Sequence, residues 1–244
     1  MDRRGRGGRR FGNDVRLVDA KVVECKDVTP GMREIRLRGP AFGVVSSKPA
    51  AHVPVEIAIH GGAPVLRTYS VWAHDPATSS LTLRVVAHTP GGPGSRWAGK
   101  AEVGERLRIG LPRNRITLNP EAPYHVFVGE ETGAIPLLTM VAALPSSAAT
   151  IGILETTDQA NELPIPHHSK ISWTHRGKAS AANSATLLRA VRQLDLPPKP
   201  GIAYVAGETA TCSAILRHLL HDRGWPRTAV RVQTHWTPGK PGLA

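Results

Sequence analysis

Cysteine is nearly absent: Cys25 and Cys212 are the two in 244 residues, far apart and at no metal or redox spacing. A disulfide framework and a cysteine-held metal are therefore not expected. Apolar runs are short, and none approaches the roughly 18 residues that a membrane-crossing helix needs. Aromatic residues are 5% of the chain, and no recognition helix, RRM string or zinc-finger spacing is present to read bases. Acidic residues are also few, 19 against 31 Lys and Arg, for a formal charge of +12. Five of those cations fall within the first ten residues, so part of the excess belongs to a Gly/Arg tail, residues 1–14, expected to be disordered. The tail lacks an apolar core and does not read as a secretory leader, which makes a reducing cytoplasm the expected location. The remaining body is still basic and favours anionic partners: dinucleotide cofactors, acidic small molecules or, through the tail, nucleic acid.

What is present is an ordinary globular composition, 41% hydrophobic and 20% charged, long enough for one large or two modest domains. Alternation and β-branched content predict strands over 15–28, 32–38, 52–59, 66–73, 81–88 and 106–111, separated by Gly, Pro and Asp turns. Six short strands so spaced predict a small antiparallel barrel over residues 15–118. The one helix expected there covers 93–101. Past 114–123 the period changes. Strands over 124–128, 150–154, 170–174, 202–206 and 230–234 alternate with helices over 135–144, 185–194 and 209–223. That order predicts a doubly wound, mostly parallel sheet over residues 119–244.

Chemistry concentrates first in Arg67-Thr68-Tyr69-Ser70. On a strand, Arg67 and Tyr69 share one face while Thr68 and Ser70 share the other. A cation beside an aromatic ring suits a ligand with an anionic group and a flat ring. The ordinary alternative is an exposed arginine and a half-buried tyrosine. About twenty residues on, Gly91, Gly92 and Gly94 can let backbone N–H groups converge, with Ser95 and Arg96 adjoining. If a helix starts at Ser95, its N-terminus favours an anion; a plain turn is the bland reading. Two strand-to-helix turns, Gly129-Glu130-Glu131-Thr132-Gly133 and Gly207-Glu208-Thr209, sit where α/β sheets bind ligands. Neither is a dinucleotide or Walker loop, and a glycine turn with a capping threonine explains both equally well. His167 and His168 have no third ligand at metal spacing.

Taken together, Arg67-Thr68-Tyr69-Ser70-Val71, Gly91-Gly92-Pro93-Gly94-Ser95-Arg96-Trp97-Ala98, Gly104-Glu105-Arg106-Leu107 and Gly110-Leu111-Pro112-Arg113 resemble the siderophore-interacting protein family. Those proteins are flavin-dependent ferric-siderophore reductases related to ferredoxin reductases, and the likeness runs over roughly residues 15–240. It implies a flavin-binding barrel followed by an NAD(P)H-binding-like α/β domain. It also implies FAD as cofactor, NAD(P)H or a ferredoxin-like protein as electron donor, and a ferric siderophore or similar anionic iron chelate as substrate. By resemblance, Arg67 neutralises a phosphate, Tyr69 stacks on the flavin ring and Ser70 approaches it. Thr68, His88 and the 91–96 turn hold the rest, Thr132 lies on the adenine side, and Trp236, in the closing Trp-x-x-Gly string, covers the ring or packs the tail down. Gly129, Glu131, Arg176, Gly207 and Glu208 fall on the nicotinamide side, Arg176 being otherwise a solvated surface arginine. This chain departs from the family by carrying Glu130 for an aspartate, Pro54 for a lysine and Trp72 for an arginine. Lys48, His52, Arg113 and Lys240 are the candidates to replace the missing cations around the substrate. Two rival readings stand beside this one: an FAD flavoprotein with an organic metabolite or redox partner as acceptor, and a non-enzymatic basic protein that binds nucleic acid.

Overall fold

The structure, a computed structural model, describes residues 16–59, 61–87, 91–166 and 169–240. The Arg/Gly tail, His88, His167 and His168 lie outside them. Strands β1 (Leu17–Thr29), β2 (Met32–Arg38), β3 (His52–Ile57), β4 (Val65–Asp75), β5 (Ser80–Val86) and β6 (Arg106–Gly110) close into an antiparallel barrel in the order β1-β2-β5-β4-β3-β6. Alternation drives the closure: Ile35 and Leu37 of β2 and Leu81, Leu83 and Val85 of β5 point into one apolar core, while Arg36 and Arg84 point away. Closing the sheet leaves no edge for another chain to pair with. Pro54 is tolerated within β3 because β3 meets β6 at a single register pair, Val55 with Ile109. The backbone of His52, two residues earlier and facing the same flank, turns to Arg113 instead.

Helix α1 (Pro93–Lys100) packs beside the barrel, with Gly92 at its N-cap and Pro93 in its first turn. It starts two residues before Ser95, because proline fixes the helical φ and has no N–H to leave unpaired. The second body runs β7 (His125–Glu130), α2 (Glu131–Ala142), β8 (Thr150–Thr156), β9 (Lys170–His175), α3 (Ala185–Arg192), β10 (Ile202–Glu208), α4 (Thr209–Arg217) and β11 (Val230–Trp236). Its five strands are all parallel in the order β11-β10-β7-β8-β9. Strand order therefore reverses between β7 and β10, and such a switch point opens a crevice beyond the strand ends.

Helix α2 lies on the barrel side of this sheet. Its Ile135, Leu138 and Met140 share a core with Met32 and Ala50 of the barrel half, and Trp72 and Val86 pack against it. The α2 residue Thr139 accepts the Ala50 N–H at 2.9 Å. Helices α3 and α4 cover the other face through Leu187, Val191, Cys212 and Ile215. Two helix ends differ most from the sequence expectation. Helix α2 begins at Glu131, four residues early, because the Glu130 carboxylate caps it. Helix α4 ends at Arg217 and widens into a π turn over His218–Asp222, where Arg223 donates to the His218 ring and to the Arg192 and Leu194 carbonyls.

At α4 the cap is Glu208, a buried carboxylate that accepts from Ala210 N and Thr211 N at 2.8 Å and from Asn183 N and the Thr211 hydroxyl at 3.0 Å. Burial alone would raise its pKa, but these donors hold it below the usual range. Glu208→Ala strands several donors at once. The expected cost is about 2–3 kcal/mol, or roughly 5–10 °C in a thermal melt of the apoprotein. A shift below about 2 °C would mean that water replaces the cap without loss.

Candidate functional site

A cleft of about 810 Å³ opens at the switch point, between the barrel and the C-terminal ends of the parallel strands. The barrel wall presents Thr68, Tyr69 and Ser70 of β4, Arg84, Val85 and Val86 of β5, His52 of β3, and Gly91, Gly92 and Ser95 of the turn into α1. Thus β4 and the glycine turn, distant in sequence, share one wall. A Cβ added at Gly94 would stand 2.5 Å from Tyr69 Oη and 3.3 Å from Arg67 Cγ. Arg67 and Tyr69 therefore reach the same point from one face of β4, and glycine is what allows the turn so close. The Tyr69 ring rests on Trp97 at 5.4 Å between centroids. Its hydroxyl is buried without a partner, and burial pushes the phenol pKa up. The Ser95 hydroxyl is spent on the Val86 carbonyl, and Arg96 donates to the Gly91 carbonyl.

The opposite wall is built by Thr132 and Ile135 at the start of α2, residues 176 and 178–181 after β9, and Gln233, His235 and Trp236 of β11. Beneath it lies a buried acidic cluster. Glu130 accepts the Thr132 N–H at 2.7 Å, the Thr132 hydroxyl through a short bond, and the Trp236 indole N–H at 3.1 Å. Burial, with Glu131 beside it, pushes the Glu130 carboxyl up to about 7. Trp236 is thereby tied to the head of α2 while it lines the cleft. Arg176 is not a solvated surface arginine: its side chain is 5% exposed and forms a fork-to-fork pair with Glu131, with Glu155 at 3.7 Å. Three carboxylates around one guanidinium explain why it turns inward. Gly129 and Gly207 serve close packing. A Cβ at Gly129 would meet the Ala206 carbonyl at 2.5 Å, and Gly207 holds φ +135° against Glu130.

Among the expected positions, the cleft gathers His52, Thr68, Tyr69, Ser70, Gly91, Gly92, Ser95, Thr132, Arg176 and Trp236. Lys48, Arg113 and Lys240 are exposed and do not line it, and Arg96 instead faces a separate groove along β3, α1 and β6. Sequence reasoning passed over Arg115, Lys178, Gln233 and His235, which do line it. Gln233 and His235 alternate on β11 three places and one place before Trp236, so strand periodicity would have put the pair on one face. His52 and His235 are both held near pKa 4, chiefly by burial. His52 Nδ1, Gln233 Oε1 and His235 Nε2 are all buried without a partner. Trp72, the departure from the expected arginine, carries the Arg84 guanidinium carbon over its ring, 3.6 Å from the centroid, with Arg84 Nε also paired to Glu34 at 2.9 Å. A cation has thus moved to the adjacent strand and is partly neutralised there.

Comparison with known proteins agrees with this geometry. Ferric vibriobactin reductase ViuB of Vibrio cholerae is 28% identical over 181 residues, 72% of this chain and 66% of that protein. The match thus spans just under two thirds of that curated relative. A siderophore utilization protein from T. fusca superposes with a TM-score of 0.82 at 28% identity, covering 94% of this chain and 96% of that one. The flavohem-like FAD/NAD binding domain of a Vibrio cholerae nitric oxide dioxygenase shares the fold, with a TM-score of 0.73 at 16% identity over 91% of this chain and 99% of that one. The family model of the siderophore-interacting FAD-binding domain matches residues 54–116, on the barrel, and that of the siderophore-interacting protein matches residues 122–239, on the parallel sheet. Two models of one family, in order on the two bodies that form the cleft, make this chain a member of the siderophore-interacting protein family.

Proposed function

We propose that the protein is an FAD-dependent reductase that moves electrons from NAD(P)H to the Fe(III) of an anionic chelate of the ferric-siderophore type. One observation carries the reading. The switch-point cleft is walled by Thr68-Tyr69-Ser70 and a glycine turn on one side, with Arg67 meeting Tyr69 at Gly94, and by an indole on the other, and it contains buried polar atoms that the protein leaves unsatisfied. Buried polar groups in native proteins are nearly always paired, so such a set suits a ligand. Tyr69 and Trp236 offer flat apolar faces to a ring system. Arg67, beside the N-terminus of α1 that the glycine turn brings to this wall, suits a pyrophosphate. Ser70 and Thr68 line the barrel wall between them.

When bound, FAD supplies the link between a two-electron donor and a one-electron acceptor. The reaction balances as one NAD(P)H and two Fe(III) giving NAD(P)⁺, a proton and two Fe(II). Iron here is substrate, held by its own chelate. Reducing it moves no proton, so no protein acid is assigned. Arg176 is committed to Glu131, so Ser180 is assigned to a nicotinamide nucleotide's phosphate, beside the closely packed strand ends at Gly129 and Gly207. The cleft cations Arg115 and Lys178 face the anionic chelate, with Lys48, Arg113 and Lys240 as an outer basic rim.

The test is an absorbance spectrum of the purified protein, followed by NADH and NADPH oxidation with and without ferric citrate or a ferric hydroxamate, trapping Fe(II). The expected protein is yellow after reconstitution with FAD, and ferric chelate accelerates nucleotide oxidation. Oxidation indifferent to iron would transfer the reading to an organic acceptor. A protein that takes up no flavin would end it.

A further inference from the structure

Pro136 lies inside α2 and has no N–H, so the Thr132 carbonyl four residues earlier loses its helical partner. The Thr132 N–H already goes to Glu130. His235 hydrogen-bonds the Thr132 backbone in a way that favours its protonated form, so it is a donor to that carbonyl. Its Nε2 is the unpartnered nitrogen, which places the donating proton on Nδ1. In the neutral ring, Nε2 is left as a bare acceptor. Gln233, two residues earlier on the same face, leaves Oε1 unpartnered, a second acceptor. Across the cleft stands His52, 7% exposed and paired in register with Ser70, its Nδ1 also unpartnered.

We infer that His235 Nε2 and Gln233 Oε1 form a wall of hydrogen-bond acceptors for the N–H and O–H donors of the flavin, with the neutral His52 ring completing that wall through the tautomer its flavin partner selects, and not a docking surface for the iron chelate. The inference rests on FAD occupying this cleft and moves His52 from the substrate side to the cofactor side. Its chemistry is a matching of donors with acceptors. A flavin carries an imide N–H on its ring and hydroxyls on its ribityl chain, and these need acceptors. A ferric chelate turns carboxylate, hydroxamate or catecholate oxygens outward, so acceptors facing it would stay unpaired and repel it. The two imidazoles are uncharged at neutral pH, held near pKa 4 by burial and by neighbouring Arg115, so they offer the chelate no charge either. Arg115 and Lys178 are left to do that.

The experiment compares wild type with Gln233→Met, His235→Phe and His235→Gln. FAD affinity is read by fluorescence titration of the apoprotein, apoprotein melting by circular dichroism, and the KM for ferric citrate at saturating FAD. Gln233→Met removes a buried acceptor that has no partner without ligand. Its apoprotein is expected to melt at or above the wild-type temperature while binding FAD about tenfold more weakly. A merely structural residue would lose stability instead. His235→Phe is expected to weaken FAD similarly, and His235→Gln, which restores an acceptor oxygen, to recover most of the loss. The KM for ferric citrate should hold within twofold of wild type. Variants that keep wild-type FAD affinity, whether or not that KM rises, overturn the assignment while leaving the flavin reading intact. A wild type that binds no FAD overturns both.

Discussion

Arg176→Ala is expected to lower the melting temperature of the apoprotein by roughly 10 °C at pH 8 and by distinctly less at pH 5.5, relative to wild type at each pH. Among the described residues, the substitution deletes the cation paired with Glu131 and Glu155 beside Glu130, three carboxylates whose side chains are nearly inaccessible. Removing one partner of a buried pair costs about 3–5 kcal/mol, because the remaining charge is left unsolvated. The pH dependence follows from proton counting. Glu130 has a folded pKa of about 7, above its unfolded value, and Glu155 is also raised by burial. Between the unfolded and folded values the native state binds more protons, so stability from these groups grows as pH falls through 7 and is lost as it rises. Without Arg176 the carboxyls shift further up, so acid recovers more in the variant than in wild type. His52 and His235, lowered to about 4, act oppositely: their contribution fades as pH falls from 6.5 toward 4. They do so in both proteins and cancel in the difference. Glu131→Gln, which keeps an oxygen for the guanidinium and leaves Glu155 in place, should cost less than half as much. An Arg176→Ala deficit equal at the two pH values would show that the carboxylates stay ionised without it.

That acidic cluster was out of reach of the sequence for a physical reason. Strand and helix signals are local: the alternation of Ile35 and Leu37, or the stripe of Ile135, Leu138 and Val141, is decided by neighbours one to four residues away. The barrel and the parallel sheet were legible on those grounds. Arg176 and Glu131 are 45 residues apart, and only the parallel register of β7, β8 and β9 brings them together. The same holds for His52 and His235, which come from opposite ends of the chain. Arg67 and Tyr69 were legible because a strand places them on one face, and the 91–96 turn because glycine advertises a close approach. Two local signals were present but underused. Pro136 inside a helical stripe frees the Thr132 carbonyl for a long-range donor. Glu130, one residue before the helix, is a capping side chain, and reading it as one would have started α2 at Glu131.

The second large effect concerns the barrel wall. Arg67→Ala combined with Tyr69→Ala is expected to leave the protein colourless, with FAD affinity lowered close to a thousandfold. Two losses combine. A charge-assisted bond from arginine to phosphate is worth about 1.5–3 kcal/mol, and a ring stacked on an aromatic side chain about 1–3 kcal/mol. Their sum approaches 4 kcal/mol, or roughly a thousandfold in Kd. Both side chains converge on Gly94, so they address one ligand and their effects need not add strictly. Tyr69→Ala also opens a void against Trp97, so stability must be separated from binding. Tyr69→Phe does so: it keeps the ring on Trp97 and deletes a buried hydroxyl that the protein leaves unpaired. Its apoprotein should melt no lower than wild type, and its flavin loss should be much smaller than that of Tyr69→Ala. Arg67→Ala alone, at a half-buried position whose guanidinium, among the described residues, donates to the neighbouring Leu66 carbonyl, should leave the melt unchanged and lower FAD affinity between roughly tenfold and a hundredfold. A folded double variant that emerges from gel filtration with one FAD per chain would remove Arg67 and Tyr69 from the site, and the pyrophosphate would then have to sit elsewhere along the cleft.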